Sequence, residues 1–318
     1  TNMTSDILKA RSDAKLNQGQ NFSRLMSFAM YGPKSPATNL LTEAELTNMN
    51  PQELVDRIHN QNSYKHRILY YGPSSSKDLL ATINQYHQVP AALKDIPAGN
   101  EYSYLETPVT KVLVAPYDAK QIYMAQISNL DKKYDPAIEP IRALYDEYFG
   151  GGMNSIVFQE MRETRGLAYS AWASIMPPSY LKYPYVLRTQ IATQNDKMID
   201  AVTTFNDIIN NMPESEAAFK LAKDGLTNRL RTERIIKGDI IWSYINAQDL
   251  GQNVDPRIKL YNDIQNMSLK DIVDFQKQWV KGRTHVYCIL RDKKDLELDK
   301  LKAVGPIEEL TQEQIFGY

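Results

Sequence analysis

Two residues in the stretch FGGGMNSIVFQEMRETRGLAYS, Phe149 to Ser170, are of types that can hold a peptide carbonyl: Arg162 and Tyr169. The pattern of SIVFQEMRET predicts a helix with Arg162 in its last turn, and LAYSAWA then leaves as a strand with Tyr169 near its start. A tight helix-to-strand turn brings both side chains to one rim. There a guanidinium fork and a phenol hydroxyl form a donor set for a carbonyl, or for the oxyanion that develops from it. Both residues also have ordinary structural uses, since a cation suits a helix C-terminus and tyrosine suits a strand. Glu160 and Glu163 could mimic a pair of catalytic carboxylates, but on so charged a helix they read as solvated.

Other chemistries fit less well. A phosphate loop needs GxxxxGK[ST], and here Gly150–Gly152 are followed by Met153-Asn154-Ser155, without the lysine. A dinucleotide fingerprint follows a strand, whereas these glycines follow a helical run. They read instead as punctuation: Gly150 to Gly152 end one helix through left-handed conformations, and Asn154 or Ser155 caps the next. None of His59, His66, His87 and His285 begins an H-x-x-E-H motif, so all four read as structural or surface residues and no metal site is expected in this chain. Cys288 is the sole cysteine, which excludes an intrachain disulfide. A net charge of −1 argues against a nucleic-acid partner. No apolar run approaches the roughly 18–20 residues of a membrane span, and no signal-peptide core opens the sequence. The compartment stays open, with the periplasm or cell envelope expected if the source is bacterial.

The elements that must position Arg162 and Tyr169 follow from periodicity. The first thirty residues read as helix, with Phe22, Leu25, Met26 and Ala29 on one face and Gly32-Pro33 as the stop. Asn50 is a natural N-cap for the next helix, with Pro51 behind it and Glu53 as a capping-box partner. Ile68–Tyr71 in HRILYYG read as a strand, 76–88 as helix and VPAALKDIPAGN as loop. VTKVLVA and QIYMAQIS are strands, 136–149 a helix, and LAYSAWASI and YVLRTQIATQ two more strands. Met198, Val202, Phe205, Ile209 and Met212 form an apolar helical stripe. Pro213-Glu214 opens another helix, helical pieces continue to about residue 280, and HVYCIL closes with a strand. Strands followed by helices predict an α+β fold, a mixed or antiparallel sheet with helices packed on one face.

An internal repeat sets the domain organisation. NMNPQELVDRI (48–58) has a counterpart in NMSLKDIVDFQ (266–276): Asn50 matches Ser268, Glu53 matches Asp271, and Leu54-Val55-Asp56 match Ile272-Val273-Asp274. Each helix leads to a strand, HRILYYG or THVYCIL, and then to KDL at 77–79 and 294–296. A unit of this spacing does not fit twice into 318 residues, so the chain reads as one nearly complete unit preceded by the end of another, a fragment of a longer protein.

The segment 149–170 resembles the glycine–serine–"LRExRGLAYS" stretch of the pitrilysin/insulinase zinc peptidases, and the likeness extends more loosely over about 63–300. The resemblance implies homologous α+β domains forming two halves that close as a clamshell. It divides this chain into the helical end of a preceding domain (1–62), an inactive peptidase-like domain (63–300) and a C-terminal tail (301–318). In that family H-x-x-E-H holds zinc in the first domain, so zinc is expected in a missing N-terminal half and not here, and this chain alone is expected to be inactive. Arg162 and Tyr169 match an arginine and a tyrosine seven residues later that reach the substrate near the zinc. By resemblance, Tyr169 would hydrogen-bond the scissile carbonyl and Arg162 the neighbouring substrate backbone. The partners implied are the zinc-binding half, or a separate catalytic subunit, and a peptide substrate. The family also contains subunits that lost zinc and serve in complexes, so a non-enzymatic scaffold is the alternative.

Overall fold

Residues that alternate or run apolar from position 111 onward become strands because each has a layer to bury against. The structure, a computed structural model, describes residues 2–119, 121–292, 294 and 296–318. Among these, six strands form one mixed sheet: β1 Lys111–Ala115, β2 Gln121–Lys133, β3 Ser170–Met176, β4 Pro184–Gln194, β5 Val286–Leu290 and β6 Ile307–Glu309. Their spatial order is β3-β4-β2-β5-β1-β6. β2, β3 and β4 pair antiparallel, β5 is antiparallel to β2, and β1 runs parallel to both β5 and β6. All five residues of β5 are buried, as a central strand covered on both faces requires.

The helices are α1 Asn2–Lys15, α2 Gln18–Tyr31, α3 Glu43–Asn48, α4 Pro51–Asn60, α5 Ser76–Tyr86, α6 Glu139–Phe149 and α7 Ile156–Phe158, which continues as a π-helix over Gln159–Thr164. After the sheet's hairpin come α8 Met198–Asn210, α9 Glu216–Thr232, α10 Gly238–Asp249, α11 Pro256–Ile264, α12 Leu269–Trp279, α13 Leu298–Lys302 and α14 Gln312–Phe316. One face of the sheet carries the main helical layer. Val112, Met124, Leu187 and Ile289 pack there against Leu144 and Tyr145 of α6, Phe205 of α8 and Ile272 of α12. This is the expected α+β arrangement.

The opposite face is covered as well, over β1, β2 and β5. Phe22, Leu25, Met26 and Ala29 of α2 bury Leu113, Ala125 and Cys288, and Ile315 and Phe316 of α14 complete the layer. The first helical run is therefore two helices, with Asn17 accepting from the Gln20 amide to start the second. The residues from 301 onward supply the edge strand β6 and this second layer.

Two local expectations fail. Ile68–Tyr71 form no strand: β-propensity has no effect without a neighbouring edge to supply the ladder, and these residues run exposed beside a single Tyr64–Lys94 bridge. The repeat thus shares its helix but not its strand. The caps differ too: Ser268 and Asp271 close a capping box, while Asn50 accepts from Gln52 and Glu53 does not return the bond. The second KDL includes Asp295, outside the described residues.

Candidate functional site

The turn that carries Arg162 and Tyr169 is built around α6 and β3. Ser155 caps α7, its Oγ accepting from Phe158 N–H and donating to the Gly152 carbonyl. The helix widens into the π-form before it ends, a local geometry frequent at functional sites. Gly166 adopts φ +57°, and its N–H donates to Arg162 O while Leu167 N–H reaches Met161 O. The pair of bonds is a Schellman-like closure, one residue wider on each bond. Tyr169 N–H then bonds Ala192 O, which places the tyrosine at the first rung of the β3–β4 ladder.

The three glycines act differently from the sequence expectation. None of Gly150, Gly151 and Gly152 has a positive φ. Gly150 is needed for close approach: a Cβ there would overlap the Ala173 backbone, lying 2.7 Å from its Cα. Gly151 is crowded by Asp146 O at 2.9 Å, whereas a Cβ on Gly152 meets nothing. The approach lets α6 close the free edge of β3. Asp146 accepts from Ile175 N–H (2.8 Å) and Ser174 Oγ (2.9 Å), and Arg142 donates to Ile175 O (3.0 Å) and to Asp146 (2.7 Å). An edge so occupied is closed to strand addition around Ile175. Burial pushes the Asp146 carboxyl up to about 6, against the pull of Arg142 and its two donors.

On this frame Arg162 and Tyr169 meet. The guanidinium carbon sits 5.6 Å from the Tyr169 ring centre and 5.0 Å from that of Phe158. Tyr169 is 72% exposed and the Arg162 side chain 44%. The carboxylate paired with Arg162 is Glu163, 3.6 Å from Nε, too long for a hydrogen bond. The terminal nitrogens of the fork carry no such pairing among the described residues. Arg165 is turned to Glu160 (3.3 Å) and Gln159 to the Met153 carbonyl (2.6 Å). The arrangement offers a fork and a hydroxyl side by side, held by stacking, both open to solvent.

The histidines fall apart. His66 and His87 face each other, Nε2 to Nε2 at 2.7 Å, on the exposed loop after α4 and the end of α5. His285 is buried, with Nδ1 2.7 Å from Ser128 Oγ. Ser128 donates its one proton to Thr284 O, so at the Ser128–His285 contact the hydrogen sits on Nδ1. Burial pushes the His285 imidazole down to about 4. Among the described residues no three His, Cys, Asp or Glu side chains converge where a metal ion could be held. No helix among them is long and apolar enough to cross a membrane.

Sequence reasoning missed Arg188. It lies on β4, half-buried on the sheet's second face, 5.1 Å above the Trp172 ring, and its Nε has no hydrogen-bond partner. The signal was present as a charge interrupting the apolar run YVLRTQIAT.

The fold is thus a mixed sheet layered by helices that carries an exposed arginine–tyrosine pair at a helix-to-strand turn. The chain belongs to the family described as "Peptidase M16 inactive domain", whose model matches residues 68–226. It is 27% identical over 216 residues to the "Non-peptidase homolog YmxG" of Helicobacter pylori, covering 64% of this chain and about half, 48%, of that relative's length. A solved peptidase M16 inactive domain from Pseudomonas fluorescens superposes with a TM-score of 0.67 at 16% identity, over 92% of this chain and 69% of that one. The periplasmic protease PqqL of Escherichia coli gives 0.63 at 13% identity, over 92% of this chain and 33% of that one. At such identities these structures establish the fold alone.

Proposed function

We propose that this chain is the non-catalytic half of a zinc-dependent metalloendopeptidase, forming the wall of a peptide-binding chamber and holding substrate through Arg162 and Tyr169. The reading rests on one observation: an arginine fork without a bidentate carboxylate, stacked on an exposed tyrosine at the mouth of a helix-to-strand turn. Tyr169 would donate its hydroxyl proton to the carbonyl oxygen as negative charge develops there. Arg162 would donate its terminal N–H groups to a backbone carbonyl one residue away. Arg188, over Trp172 on the same sheet's less covered side, would meet a further acceptor of the bound peptide. Zinc, when present, would supply the activated water from the other half or from a separate catalytic subunit.

A second reading is a scaffold of the same fold that cleaves nothing. The description of the Helicobacter pylori relative as a non-peptidase homolog favours it. Steady-state kinetics on the complete natural polypeptide separate the two. Under the first reading Tyr169→Phe lowers kcat about 100-fold with the melting temperature unchanged, as loss of one oxyanion donor does elsewhere. Wild-type kcat in that variant removes the role. A complete polypeptide that hydrolyses no peptide either alone or together with a zinc-bearing H-x-x-E-H subunit of its natural complex selects the scaffold.

A further inference from the structure

β3 and β4 hold a cation that the fold leaves without a counter-charge. On the sheet's second face α2 and α14 cover β1, β2 and β5, and no residue of β3 joins that layer. Beside it lie Trp172 and Ser174 of β3 with Gln190 and Arg188 of β4, directly opposite each other in that order and all half-buried. The Arg188 guanidinium rests over the Trp172 ring, 5.1 Å from its centre. Nε is buried without a partner, Nη2 has one long bond to Gln190 Oε1 (3.4 Å), and Nη1 has no partner and stays open to solvent. Arg142, the other arginine held within this fold by α6 and β3, is neutralised by Glu139 and Asp146 at 2.9 and 2.7 Å. Among the described residues no carboxylate does the same for Arg188, and burial pushes its guanidinium below the ordinary range.

A guanidinium keeps its charge, so whatever covers this face strips the remaining water from a cation. That costs much unless the covering surface brings a negative charge of its own. A carboxylate has two oxygens that match the terminal nitrogens of the fork, and the Trp172 ring offers an apolar seat to the methylene groups behind it. We propose, resting on the reading in which a peptide lies against this domain, that Arg188 framed by Trp172 selects an aspartate or glutamate side chain of that peptide where it crosses β3 and β4. A lysine or arginine at the same place is repelled, which makes the contact a filter as well as an anchor. Cleavage does not enter, so a scaffold that only holds peptides would use the same contact.

Equilibrium binding to the complete natural polypeptide tests this, with a chelator present so that nothing is cleaved. The probes are decapeptides of alanine, serine and leucine carrying an uncharged dye, with one glutamate walked through the sequence, and the same set with glutamine. At one position the glutamate peptide is expected to bind about tenfold more tightly than its glutamine counterpart. Arg188→Gln abolishes that preference and leaves the affinity of the glutamine peptide unchanged. Arg188→Lys keeps the charge without the fork and retains only part of the preference. Neither variant melts below wild type, because the guanidinium has no ion pair in the fold to lose. A fall in melting temperature in Arg188→Gln would place a carboxylate from the rest of the polypeptide at the fork and overturn the proposal. Equal binding of the two peptide sets, or a glutamate preference that survives Arg188→Gln, also overturns it and leaves the proposed function standing. Failure of every peptide to bind overturns both.

Discussion

Arg162 and Tyr169, seven residues apart in sequence, meet at the turn, the guanidinium carbon lying over the phenol ring 5.6 Å from its centre. Each side chain therefore sets the other's orientation at an open surface. Such a contact is worth about 0.5–1 kcal/mol at an exposed site, enough to bias rotamers and too little to hold the fold.

A double-mutant cycle in the complete polypeptide reads that coupling. Arg162→Ala is expected to raise KM, because backbone anchoring acts in the ground state, while Tyr169→Phe acts on kcat. For the cycle itself Tyr169→Ala replaces Tyr169→Phe, since phenylalanine keeps the ring, and the Arg162→Ala/Tyr169→Ala double variant should lose less than the sum, with a coupling of about 0.5–1 kcal/mol. Strict additivity would mean that the stacking does not position the pair.

The three glycines separate by a stability scan. Gly150→Ala forces a methyl group into the Ala173 backbone and should cost about 3 kcal/mol or more, because backbone on both sides must shift. Gly152→Ala has open space and no positive φ, so it should stay within about 0.5 kcal/mol of wild type. Urea unfolding of both variants checks the order, and equal effects would contradict the close-approach role of Gly150.

His285 makes stability depend on pH. Its folded pKa is about 4, below the ordinary 6.5, so between those values the unfolded chain takes up a proton that the folded chain refuses. Stability falls as pH drops through that window, by roughly 3 kcal/mol in total. Asp146, pushed up to about 6, acts in the opposite direction, stabilising the fold as pH drops through its own range. The difference between wild type and His285→Asn isolates the histidine: the variant's denaturation free energy should decline less from pH 7 to pH 4. Parallel curves would refute the assignment.

Cys288 is fully buried on β5, and burial pushes its thiol up to about 12. A thiol without thiolate character or access does not react. A thiol-specific chromogenic reagent should leave it unmodified in the native chain and label one equivalent after denaturation. Rapid native labelling would show that β5 opens.

The caps, helices and most strands were legible in the sequence because their causes are local. Ser268 with Asp271, Ser155 with Phe158, and the alternation in β4 all act within a few residues. The Arg162-to-Tyr169 turn belongs to the same class, since Gly166 and the apolar run after it announce a helix end and a strand start. Other features came only from tertiary structure. The need for glycine at 150 depends on Ala173, and the depressed histidine on the burial of His285, whose ring meets Ser128, 157 residues away in sequence. The sharpest case is the repeat. Val286 to Leu290 and Ile68 to Gly72 carry the same kind of pattern, yet one is a central strand and the other an exposed run. A strand's hydrogen bonds are all made to other strands, so its sequence states only that it can pair. Whether it does is decided by the sheet beside it.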